Sequence, residues 1–173
     1  VKGEQTVGER EALLKDLDGE YESLYGVLMS LSDADKTCPM LDTWSVKDIL
    51  VHIAAWLREG TKGLEGLARG EQGLADSLDD DDVDAQNARF VEERRDASVQ
   101  EVQTELHLAK NVFARAIRVL PEECFAEGQE ARRIVCGEGI DHFSEHGKQL
   151  WKWKEQERVG RAVPPGMPRG AIG

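Results

Sequence analysis

The sequence predicts an all-α fold, a four-helix bundle, and three observations carry that prediction. Long segments place apolar residues at spacings of three and four, the period of one buried helix face. No stretch alternates apolar and polar residues as a half-buried strand would. Prolines number five, three of them at Pro164, Pro165 and Pro168, which leaves long runs of good helix formers uninterrupted. The 173 residues, 40% hydrophobic and 32% charged, suit one globular domain with a real core.

The first helix is expected from Thr6 to Leu31, with Leu13, Leu14, Leu17, Tyr21, Leu24, Tyr25, Leu28 and Leu31 as its buried stripe. A turn-rich connection follows from Ser32 to Pro39. The second helix opens at Trp44-Ser45-Val46-Lys47-Asp48, where Ser45 caps and Asp48 places a carboxylate among the first free amides. It continues through Ile49, Ile53 and Leu57 and is expected to weaken among Gly60, Gly63, Gly66 and Gly70. Glu71 to Asp82, ending in four aspartates, reads as a solvated acidic loop without the spaced ligands of a calcium-binding hand. A third helical region spans Val83 to Leu120, broken near Asp96-Ala97, because Ser98 and Glu101 form a capping-box pair. Beyond that break Val102, Leu106, Ala109, Val112, Phe113, Ala116 and Leu120 give the core stripe. The last helix begins between Arg132 and Gly139 and carries Ile140, Phe143, His146, Leu150 and Trp153 to about Glu157. The domain is therefore placed over residues 1–158, with a flexible tail over 159–173.

Composition narrows the function classes. A formal net charge of −12 argues against nucleic acid as a partner, since no strong basic patch stands out. No apolar run reaches membrane-spanning length, and the opening Val1-Lys2-Gly3-Glu4 has no signal-peptide core. The three cysteines, Cys38, Cys124 and Cys136, form no C-x-x-C pair, which points to a reducing cytoplasm. Cys124 and Cys136 lie in no nucleophile constellation and read as small buried hydrophobes.

Chemistry concentrates in the four histidines. His142 and His146 stand four apart on one helix, so both rings face one way and can grip one metal ion. A third ligand must come from another helix. His52, beside Leu50, Ile53 and Trp56 near the core face, is the candidate, since a buried imidazole needs a partner. His107 lacks a histidine partner at helical spacing and reads as surface or satisfied. The run His142-Phe143-Ser144-Glu145-His146 also matches the H-x-x-E-H pattern of inverzincin peptidases. The distant downstream Glu ligand of those enzymes is missing, because Glu155 and Glu157 follow too closely.

The run Trp44 to Trp56 resembles the second-helix signature of the DinB-like superfamily, and Asp141 to Leu150 its last-helix signature. Val83-Asp84-Ala85-Gln86-Asn87-Ala88 and Leu120-Pro121-Glu122-Glu123 resemble the ClbS/DfsB branch. The resemblance covers roughly residues 10 to 156. It implies an antiparallel bundle in an up-down-down-up arrangement, forming a homodimer. It also implies a divalent metal on three histidines, which map onto His52, His142 and His146. Superfamily members include isomerases and transferases that use a low-molecular-weight thiol. The ClbS-like branch includes a hydrolase that opens a reactive cyclopropane in a genotoxin.

The leading reading is a metal-dependent enzyme acting on a small electrophilic metabolite, by thiol transfer, isomerisation or hydrolysis. Three imidazoles leave a Zn, Ni or Fe ion with open positions, as a catalytic site requires. Trp44, Trp56 and Trp151 are candidate walls of an apolar pocket. Asp48, one turn before His52, is a candidate partner for that ring, or a helix-start acid. Glu145 is a general base only if it faces the metal. Two alternatives stand beside this: a metal-independent protective hydrolase or sequestering protein, and a non-enzymatic stress-related binding protein with a structural metal.

Overall fold

In the computed structural model, which describes residues 8–41, 43–72 and 80–162 (backbone alone at 80, 81 and 159–162), helix α1 runs Glu9–Met29. Leu13, Leu14, Leu17, Tyr21, Leu24 and Leu28 close its buried face. Tyr25 falls outside that stripe, 41% exposed, one position round the helix from Leu24. The expected connection after α1 contains a short helix α2 (Asp33–Thr37), started by a capping box of Ser32 and Asp35. Strands β1 (Pro39–Leu41) and β2 (Trp44–Ser45) then pair antiparallel. They are too short to show an alternating pattern in the sequence.

Helix α3 (Val46–Ala68) starts from the Ser45–Asp48 capping box and buries His52 among Ile49, Ile53 and Leu57. It does not weaken at its glycines; Gly70, with φ +84°, lies just beyond its end. Two glycines instead allow close packing. A Cβ on Gly60 would stand 2.8 Å from Phe113 and 3.0 Å from the Glu138 Cβ, and one on Gly63 3.0 Å from Ile134. Helix α4 (Asp80–Glu93) takes the last acids of the expected loop into its first turn, where the helix dipole favours them. Residues 73–79 of that loop lie outside the described residues.

Ser98 and Glu101 do form a capping box, and α5 (Val99–Val119) follows the expected break. Val102, Leu106, Ala109 and Phe113 are buried, whereas Val112 is 45% exposed beside the stripe. A 3-10 turn (Glu122–Phe125), α6 (Glu130–Ile134) and a π-helical segment (Val135–Asp141) lead into α7 (His142–Ala162). Helix α7 thus continues past the expected end near Glu157, and 163–173, the rest of the expected tail, lie outside the described residues.

Cross-helix contacts fix the helix directions. Leu17 lies against Gly139 and Leu24 against Gly147, so α1 and α7 run parallel. Lys47 reaches the carbonyls of Arg95 and Ala97, and Arg58 reaches Glu105, so α3 and α5 run parallel. Tyr21 bonds His107 and Arg10 bonds the Leu120 carbonyl, which sets α1 against α5. Gly60 meets Glu138 while His52 meets His146, which sets α3 against α7. The bundle is up-down-down-up. Phe113, Phe125 and Phe143 are fully buried in its core with Leu17, Leu24 and Leu57. Among the described residues no helix is long and apolar enough to cross a membrane.

Candidate metal centre

His52 and His146 are buried and His142 half-buried, and one ring nitrogen of each lies within 4.8 Å of the others. The α7 rings are near-parallel, their planes 10° apart with centroids 5.7 Å apart, as spacing by one helical turn requires. The His52 ring stands perpendicular to both, at 5.1 Å from His142 and 5.2 Å from His146. All three residues singled out in the sequence therefore come together.

Each ring is oriented through Nδ1. His52 Nδ1 lies 3.1 Å from Asn87 Oδ1, an atom that also accepts from the Trp56 indole at 2.7 Å. An indole N–H can only donate, so the Asn87 atom facing both groups is its oxygen, and His52 Nδ1 must carry the proton. His142 Nδ1 lies 3.3 Å from the Glu138 carbonyl, which can only accept. His146 Nδ1 lies 2.8 Å from Gln149 Oε1, whose amide nitrogen is turned toward Glu145 at 3.4 Å. Three Nδ1–H donors are thus committed to oxygens, leaving the lone pairs on the three Nε2 atoms. That tautomer suits ligation through Nε2.

Electrostatics hold the rings neutral. Burial, followed by the neighbouring His142 and His146, pushes the His52 imidazole down to about 3. Burial and His146 lower His142, and burial lowers His146. Neutral imidazoles with free lone pairs fit a borderline divalent ion such as Zn, Ni or Fe.

Beside the rings opens a cavity of about 650 Å³, within the size range of small-molecule sites. His52, Trp56, Asn87 and His142 line it together with Glu59 and Glu138. Glu59 is paired with Lys62 at 2.7 Å. Burial, followed by the Glu59 charge, raises the Glu138 carboxyl to about 7.

Other candidates fall elsewhere. Asp48 spends its carboxylate on the Ser45 amide and hydroxyl at 2.9 and 2.7 Å, so it is the helix-start acid. Glu145 is exposed and holds Gln149. Of the tryptophans, Trp56 lines the cavity, Trp44 tilts against His52 with centroids 5.4 Å apart, and Trp151 is 58% exposed. His107 is exposed and satisfied by Tyr21 and Asn111 at 3.2 and 3.0 Å. Cys124 and Cys136 are half-buried against the core, and Cys38 is exposed. Sequence reasoning assigned no role to Asn87, Gln149 or Glu138. Gln149 and Glu138 carried a local signal, each standing one helical turn from a histidine of the cluster; Asn87 carried none.

No protein-family model and no curated protein sequence matches the chain. Solved structures do. An uncharacterised protein from Escherichia coli UTI89 superposes with TM-score 0.75 at 15% identity, covering 87% of this chain and 95% of its own. DfsB, described as a sibling lethal factor precursor, gives 0.73 at 18% identity over 89% and 99%. The colibactin self-resistance protein ClbS, solved in complex with a dsDNA, gives 0.73 at 14% identity over 84% and 95%. That complex corrects the expectation that nucleic acid is excluded as a partner. The expectation rested on the net charge of −12, which sums the whole surface, whereas duplex binding depends on where cations sit locally. In fold, the chain is similar to ClbS and DfsB.

Proposed function

We propose that His52, His142 and His146 hold a divalent cation, and that the chain is a metal-dependent protein acting on a small electrophilic metabolite in the adjoining cavity. The observation that carries this reading is the cluster itself: one ring nitrogen of each histidine within 4.8 Å of the others, while all three Nδ1 atoms face oxygens. A histidine cluster kept only for packing has no need to gather three ring nitrogens while committing every Nδ1 to an oxygen. A bound cation supplies Lewis acidity, lowering the pKa of a water or a low-molecular-weight thiol so that it becomes a nucleophile near neutrality.

The chain's own residues do the rest. Asn87 and Gln149 fix the His52 and His146 rings, and Trp56, Val83 and Ile134 give the cavity an apolar wall. Glu138, held up near neutrality, keeps a carboxyl that can carry or release a proton at the cavity edge. The likeness to ClbS, a self-resistance protein, supports a protective role. The test assays the protein against a panel of small electrophiles, with and without added thiol, before and after chelation. Loss on chelation and recovery with Zn, Ni or Fe is expected. Turnover that survives unchanged in His52→Ala would replace this reading with a metal-independent protective hydrolase.

A further inference from the structure

The π-helical segment Val135–Asp141 stands immediately before the first α7 histidine. Wide i→i+5 turns of this kind are uncommon and recur at functional sites. Here the His142 backbone N–H bonds the Gly139 carbonyl, while the His142 ring takes the Glu138 carbonyl at 3.3 Å. The Glu138 carboxylate lies on the same side of that ring, 3.7 Å from Nδ1. Gly60 and Gly139 make the placement possible. The Glu138 Cβ rests 3.0 Å from where a Gly60 Cβ would be, and a Cβ on Gly139 would meet Leu17 at 2.7 Å and Phe113 at 2.9 Å. Gly60 therefore lets the π segment settle against α3, and Gly139 lets it sit close to α1 and α5, with Glu138 lining the cavity shared by His52 and His142.

Glu138 differs from the other acids of this cavity. Glu59 is matched by Lys62 and Glu71 by Arg69, at 2.7 and 2.9 Å, whereas the Glu138 carboxyl has the neutral His142 ring beside it, at 3.7 Å. A carboxylate beside the N–H of a ligating histidine strengthens that ligand, because coordination drains charge from the ring and makes the far N–H a better donor.

We propose that Glu138 is the residue that positions His142, holding its ring through the Glu138 carbonyl and, when a cation is bound, through the Glu138 carboxylate. The inference rests on the metal reading given above, and its test separates the two. Zn²⁺ and Co²⁺ are titrated into the full chain and into Glu138→Gln, Glu138→Ala, Glu59→Gln and His142→Ala, with thermal melts of each metal-free variant to establish folding. Both Glu138 variants should bind roughly 10–100-fold more weakly, Glu138→Gln less affected than Glu138→Ala because its amide can still accept. The visible Co²⁺ bands should shift in both. Glu59→Gln should match wild type, since Glu59 shares the cavity and the charge but not the ring contact.

Wild-type affinity and an unshifted Co²⁺ spectrum in both Glu138 variants, with binding lost in His142→Ala, would overturn this inference and leave the metal centre standing. Equal weakening in Glu59→Gln would also overturn it, since cavity charge would then be the cause. A wild-type chain that takes up neither ion would overturn both readings.

Discussion

Asn87→Ala tests the hydrogen-bond logic of the centre through a residue that holds no metal. One oxygen serves two donors, the Trp56 indole at 2.7 Å and His52 Nδ1 at 3.1 Å, and the substitution strands both. Each unsatisfied buried donor costs about 1–3 kcal/mol. The cavity admits water beside Trp56, so the indole lies toward the lower end of that range, whereas His52 is only 7% exposed. A net loss of about 2–4 kcal/mol follows, which for a domain of this size lowers Tm by roughly 4–16 °C. Without its acceptor the His52 ring is free to rotate and change tautomer, so metal affinity should fall about 10–100-fold. Calorimetry reads the first effect and a chelator-competition titration the second. Asn87→Asp, which keeps an oxygen at the same reach, should recover most of the affinity. An Asn87→Ala protein with wild-type Tm and wild-type metal affinity would refute the reasoning.

Two further predictions follow from the same geometry. In the metal-free protein the depressed His52 value makes its contribution complete above pH 6.5 and progressively lost as pH falls toward about 3. The slope is up to about 1.4 kcal/mol per pH unit for each such ring. Glu138, raised from 4.5 to about 7, acts in the opposite sense, its contribution present below 4.5 and lost as pH rises through neutrality. Denaturant titrations of His52→Asn should therefore show a flatter decline below pH 6.5 than wild type, and an unchanged slope would count against the burial argument. Gly60→Ala should destabilise by about 1–3 kcal/mol, because its Cβ would lie 2.8 Å from the immobile Phe113 ring. Gly19→Ala, with nothing within 4 Å on exposed α1, should instead stabilise by up to about 1 kcal/mol, and melts moving in the same direction would contradict the packing analysis.

The helices were legible because their signals are local. Leu13, Leu17, Leu24 and Leu28 repeat at helical spacing, and the Ser45–Asp48 and Ser98–Glu101 pairs start helices as their chemistry dictates. The same capping box already limited Asp48, since a carboxylate spent on a helix start is not free for His52. The proximity of His142 and His146 was legible for the same reason, and His52 by its apolar setting. What the sequence hid depends on how helices meet. Asn87 reaches His52 across thirty-five positions and two helices, with no periodicity linking them. The glycines of α3 looked like breakers because their partners, Phe113, Glu138 and Ile134, come from distant segments. Nor does composition reveal the π turn that delivers Glu138 to His142. The charge argument failed for a related reason, since a sum over the chain says nothing about where on the surface the charges lie.

Elemental analysis of the purified protein, paired with His142→Ala, tests the metal centre most directly. Three ligands on one ion predict about one equivalent of Zn, Ni or Fe per chain in the wild type. Removing one ligand should strip most of it. Equal metal content in the two proteins, or none in the wild type, would contradict the assignment of His52, His142 and His146 as the site.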